Sequence, residues 1–143
     1  MKESSTSALL HRLFNSNDLE NFFECNADAM QTPEFHAYIQ NLCGELKLVP
    51  EQVIRYSGIE RTYGHQLFNG TRKPSRDKVI QLAFGFALDL DGAQRLLQIA
   101  LKSPLYPKIR RDAAVIFCID RHKDFWETQS VLHSLGLTLL GGE

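Results

Sequence analysis

No apolar run in this chain approaches the ~20 residues that a membrane-spanning helix needs, and the Lys2-Glu3-Ser4 start lacks the apolar core of a secretory leader. A cytoplasmic protein with no membrane partner is expected. Cysteine is scarce. Cys25, Cys43 and Cys118 form no CxxC pair, and an odd number of scattered thiols suits a reducing compartment better than a disulfide framework. Each reads as a small buried apolar residue. Net charge is nearly absent, at −1, which excludes an indiscriminate nucleic-acid binder, whose usual mark is a pI above ~9. Catalytic patterns are missing as well. There is no phosphate-cradling glycine loop, nucleophile elbow or HExxH, and the histidines at 11, 36, 65, 122 and 133 are scattered. No enzyme, metal or cofactor is called for, and His122 between Asp120 and Asp124 reads as a solvated loop between helices.

What is present is ordinary in amount and uneven in placement. With 43% apolar and 23% charged residues, 143 residues can bury a core without metal or disulfide staples. Residues 1 to 34 hold two cations against six anions. Residues 55 to 78 reverse this, with Arg55, Arg61, Arg72, Lys73, Arg76 and Lys78 against Glu60 and Asp77. Residues 102 to 123 are also basic. Such asymmetry favours a polyanion partner for the basic portion, or an acidic segment folding back over it.

No segment alternates with period two, so the chain reads as all-α. Apolar spacing predicts short helices over Ala8 to Phe14 and Leu19 to Cys25, parted by the cap-like Asn15-Ser-Asn-Asp18. Thr32-Pro33-Glu34 opens a helix whose stripe is Phe35, Tyr38, Ile39, Leu42, Cys43 and Leu46. Pro50 starts a helix through Tyr56. Gly58 suits the positive φ of a tight turn, 60 to 68 forms a short helix, and Asn69-Gly70 stops it before a basic loop closed by Pro74. Ser75 caps a helix with Val79, Ile80, Leu82, Ala83 and Phe86 facing inward, and Asp89 begins another through Leu101.

Glu51-Gln-Val-Ile54, the Gly58-Ile59 turn and above all Asn69-Gly-Thr-Arg-Lys-Pro-Ser75 resemble the phage-repressor-like helix-turn-helix family, of the lambda-repressor or xenobiotic-response-element type. The resemblance covers roughly 34 to 101. It departs from the family pattern at Pro50 (usually Gln), Ile54 (a small Ala), Gly64 (a branched residue) and Phe68 (Glu). It implies a five-helix domain that reads the DNA major groove with helix 60 to 68, as a dimer on a two-fold operator, in a bacterial transcription regulator. Carried onto this chain, Arg61, Thr62, Tyr63, His65, Gln66 and Asn69 become candidates for base or backbone contact, and Thr71, Arg72, Lys73, Arg76 and Lys78 for phosphate contact. The chemistry fits: Gln can bond adenine N6 and N7, Arg guanine O6 and N7, and the Thr methyl packs on thymine. Ile54 and Gly64 suggest a compensating swap, a large side chain filling the space the glycine leaves.

Residues 76 to 105 recur at 111 to 140. Arg76-Asp77 repeats as Arg111-Asp112, Gln94 as Gln129, Leu97 as Leu132 and Leu105 as Leu140. Two helical hairpins stacked side by side would account for the 35-residue spacing. Two further helices are predicted, about 109 to 121 and 124 to 135. Segment 103 to 112 joins the hairpins, and its Lys108, Arg110 and Arg111 are either a phosphate or acidic-protein contact or a solvated helix start. Leu135, Leu137, Leu139 and Leu140 either form a homodimer surface or close the core. The expected organisation is an acidic helical segment (1–33), a repressor-like domain (34–101) and a C-terminal hairpin packed on it (102–143). Its expected partners are double-stranded DNA and a second copy. The rival reading is a protein-protein interaction adaptor that keeps the fold without binding DNA.

Overall fold

A computed structural model describes residues 6–30 and 33–142, and all the secondary structure among them is helical. The chain parts into two compact units between Pro33 and Glu34. The first holds α1 (Thr6–Phe14), α2 (Leu19–Cys25) and α3 (Ala27–Met30). Asp18 caps α2 by accepting from the Glu20 N–H, as its place before an apolar run suggests. The turn α3 has no counterpart in the apolar spacing. Only Phe22 is buried among the described residues here, while Leu10, Leu13, Phe14, Leu19, Phe23 and Met30 lie exposed. Thr32, expected to help open the next helix, lies outside the described residues.

The second unit carries α4 (Phe35–Leu46), α5 (Pro50–Ser57), α6 (Arg61–Asn69), α7 (Arg76–Gly85), α8 (Leu90–Ile99), α9 (Arg110–Asp120) and α10 (Phe125–Ser134). Pro50 takes the first-turn position of α5, where a missing N–H costs nothing. Ile39 and Cys43 of the α4 stripe are buried, but Leu46 is not, because the helix breaks into a left-handed residue at Lys47 just beyond it. At the centre stands α7, buried from Val79 through Phe86 and packed against α5, α8 and α10. Ser75 caps it through the Lys78 N–H. Residues 102 to 142 belong to the same compact unit as the helices before them.

The 35-residue repeat is a structural one. Left-handed residues recur in register, Ala87 with His122 and Leu101 with Gly136. Asp89 and Asp124 each cap the second helix of their hairpin, so Asp124 is a helix cap rather than a solvated loop residue. Gln94 brackets the backbone of Leu105 at 2.9 and 2.8 Å, and Gln129 brackets Leu140 at the same two distances. The hairpins then exchange their charges. Arg76 donates to both carboxylate oxygens of Asp112 (3.1 and 2.8 Å) and to the carbonyls of Ser103 and Pro104. Arg111 does the same to Asp77 (2.9 and 2.8 Å) and to the carbonyls of Thr138 and Leu139. The N–H groups of Tyr106 and Gly141 complete the acceptors at Asp112 and Asp77. Such interchange of partners is what a local two-fold relation produces.

Two expectations change here. Arg111, read as a phosphate or acidic-protein contact or a solvated helix start, donates to both carboxylate oxygens of Asp77. Of the four C-terminal leucines, Leu140 is buried and Leu137 half-buried against the core, so the tail mainly closes the monomer and leaves only Leu135 and Leu139 exposed.

Candidate nucleic-acid interface

Helices α5 and α6 meet across a turn built for close approach. Gly58 adopts φ 69°, and a β-carbon there would lie 2.2 Å from the ring of Phe125 on α10. Glycine is thus required twice, for the left-handed backbone and for the ring that covers it. Ser57, buried beside it, donates to the Ile54 carbonyl at 2.7 Å. Glu60 caps α6 by accepting from the Thr62 and Tyr63 N–H groups at 2.9 Å each, and those bonds hold its carboxyl below the usual range. Gly64 lies over Ile54: a β-carbon on it would come 2.5 Å from Ile54 Cγ2. The swap read from the sequence is present. Leu67 and Phe68 fix the inner side of α6 in the core, Phe68 against Phe86.

The outer side of α6 presents Arg61, Thr62 and Asn69 exposed, with Tyr63, His65 and Gln66 half-buried. Arg72 links helix and loop. Its Nε donates to Gln66 Oε1 at 2.9 Å, and its guanidinium lies 4.4 Å from the centre of the Tyr63 ring. Lys78 approaches the same ring at 5.3 Å while donating to Gln81 Oε1, and Gln81 donates to the Ser57 carbonyl. Tyr63 is therefore a platform for two cations. Asn69 Oδ1 accepts from both the N–H and the hydroxyl of Thr71, which shapes the loop where Gly70 turns at φ 83°. Lys73 is exposed at the loop tip.

Arg76 falls outside this group. Its guanidinium is spent on Asp112 and two carbonyls, so the phosphate role expected of it has no free donor fork to supply it. A carboxylate the motif did not single out enters instead. Glu51, on the first turn of α5, accepts from Arg61 Nε at 2.7 Å with one oxygen and meets His65 Nε2 at 2.9 Å with the other. The Arg61 and then the His65 contacts lower its pKa. Ten and fourteen residues of separation hid the cluster. Its only sequence signal is that a helix-turn-helix lays the first turn of one helix beside the next.

No described helix is long and apolar enough to cross a membrane. No family model, curated protein or solved structure matches the chain.

Proposed function

We propose that this chain is a cytoplasmic, sequence-specific DNA-binding transcription regulator that enters the major groove with α6. The observation that carries the reading is the Gln66–Arg72–Tyr63–Lys78 assembly. One base-reading amide is oriented by an arginine, which itself rests on a ring shared with a lysine. Gln66 Oε1 keeps a second lone pair for an adenine N6 amino group, and its own amide can meet N7. Thr62 and Arg61 lie one turn nearer the helix start, toward neighbouring base pairs. Arg72, Lys73 and Lys78 supply phosphate contacts that set the register. Glu51 lowers affinity for phosphate in general, since Arg61 must release its carboxylate before it can meet a phosphate. The device trades non-specific binding for discrimination and suits a chain of net charge −1.

One short helix reads few base pairs, so two copies on a two-fold operator follow from this reading. The test is selection of genomic fragments by the purified protein at two salt concentrations, followed by gel-shift titration of the enriched site. Failure to enrich any sequence over random duplex would sink it. The clamp of Glu51 on Arg61 and His65 favours the rival, a protein-interaction adaptor, because it neutralises part of the proposed reading face. In that case Lys108 and Arg110, exposed in segment 103 to 112, are its docking residues.

A further inference from the structure

The two hairpins are alike in fold but not in what covers them. On α7, Gln81, Leu82 and Gly85 are buried, and Gly85 and Gln81 meet Val53 and Ser57 of α5. Thirty-five residues on, the matching positions of α9 are Ile116, Phe117 and Asp120. Phe117 is 48% exposed where its counterpart Leu82 is 0% exposed. Within residues 34 to 142, no helix covers α9 there as α5 covers α7.

The uncovered stripe is Arg110, Ala113, Phe117 and Asp120, spaced three, four and three. That spacing keeps four residues on one helix face. We propose that this stripe is a homodimer interface in which α9 packs antiparallel on α9 of a second copy. Centred on Val115, the pairing sets Ala113 against Phe117 of the second copy, small against large, and Arg110 against its Asp120, cation against anion. The charges argue for this occupant on their own account. Arg110 stands at the positive, N-terminal end of its helix and Asp120 at the negative end, each disfavoured by its own dipole. An antiparallel neighbour places each beside the opposite pole. Among the described residues Asp120 pairs with Arg121, at 3.5 Å, and Arg121 lies 4.6 Å from the Phe117 ring centre, so both travel with the stripe. Every contact is returned by symmetry, as a two-fold interface requires. The surface would serve the two-copy operator, but it is measured without DNA, so the two proposals stand or fall separately.

Sedimentation equilibrium of the full chain tests it. A helix pair of three turns lies at the small end of specific interfaces, so a dissociation constant of about 10–100 μM is expected. Phe117→Glu should weaken it at least ~10-fold, and Arg110→Asp or Asp120→Arg alone should weaken it about 3- to 10-fold. The combined Arg110→Asp, Asp120→Arg protein should return to within about 3-fold of wild type. Far-ultraviolet circular dichroism confirms that each variant is folded. A wild type monomeric at about 500 μM, association indifferent to Phe117→Glu, or a double reversal no tighter than the singles would each overturn the proposal.

Discussion

Arg76 grips the Asp112 carboxylate with both terminal nitrogens, and Asp112 is only 3% exposed. Removing the arginine leaves a buried carboxylate with the Tyr106 N–H and little else. Arg76→Ala should therefore destabilise the protein by about 3–5 kcal/mol, and Arg111→Ala should match it at Asp77. Urea denaturation at neutral pH measures both. A loss below ~1 kcal/mol in either would mean that water takes over the role of the missing guanidinium.

Gly64→Ala should destabilise by about 1–3 kcal/mol despite the ~1 kcal/mol that alanine gains in helix propensity, because the new methyl collides with Ile54. In an Ile54→Ala background the same change should become neutral or stabilising. A double-mutant cycle with no coupling would show that α6 shifts to make room.

Gln66→Ala should cost about 1–3 kcal/mol at one base pair of the selected site and relax the preference there. Arg72→Ala should weaken all sequences and lower the salt slope by about one unit. Since Arg72 orients Gln66, it should also blur the same base preference. The pair should be less than additive. Additive losses in a gel-shift cycle would count against the shared geometry.

Glu51→Gln should act in opposite directions on binding and on stability. Releasing Arg61 and His65 raises affinity for random duplex, by about 3- to 10-fold at low salt. For stability, the folded protein holds Glu51 below its ordinary pKa, so the unfolded chain binds that proton more readily. Its contribution is complete above the ordinary glutamate range and fades as pH falls through the lowered value. The variant lacks that share, so it should be less stable near neutrality and converge on wild type in acid. Thermal melts from pH 7 down to about pH 3 check the sign.

A chain that begins at Glu34 should keep its cooperative unfolding, since the parting falls at that point and the first unit buries little of its own apolar surface. It should also bind random duplex more tightly at low salt, having lost an acidic segment, with the gain fading as the Debye length falls to ~3 Å at 1 M. Weaker binding, or loss of the unfolding transition, would show that the segment supports the domain.

Most helix positions could be read from the sequence because their signals are local: Ser75, Asp89 and Asp18 before apolar runs, Pro50 in a first turn, Gly58 and Gly70 at left-handed stops. The Ile54 and Gly64 swap was legible too, because both depart from a family pattern in opposite senses. The recurrence of Arg-Asp was visible, but not that each arginine takes the other hairpin's aspartate, since identical dipeptides say nothing about which copy they bind. That crossing removed Arg76 and Arg111 from the free cations. Glu51 escaped for a similar reason, its two partners lying a helix away. Short α3 has too few residues to show a period.

The reciprocal grip also makes the pair of hairpins a finished number. A solenoid lengthens because every unit leaves an edge for the next; here each unit's arginine and aspartate are consumed by its twin, and a third would find no hand to take. Synthesis feels the same closure. Arg76 waits 36 residues for Asp112 to follow it, roughly 2–7 s at ribosomal rates, and Asp77 and Gly58 wait longer for Gly141 and Phe125. A chain arrested partway through translation holds the letters of α6 but not yet the frame that packs around it.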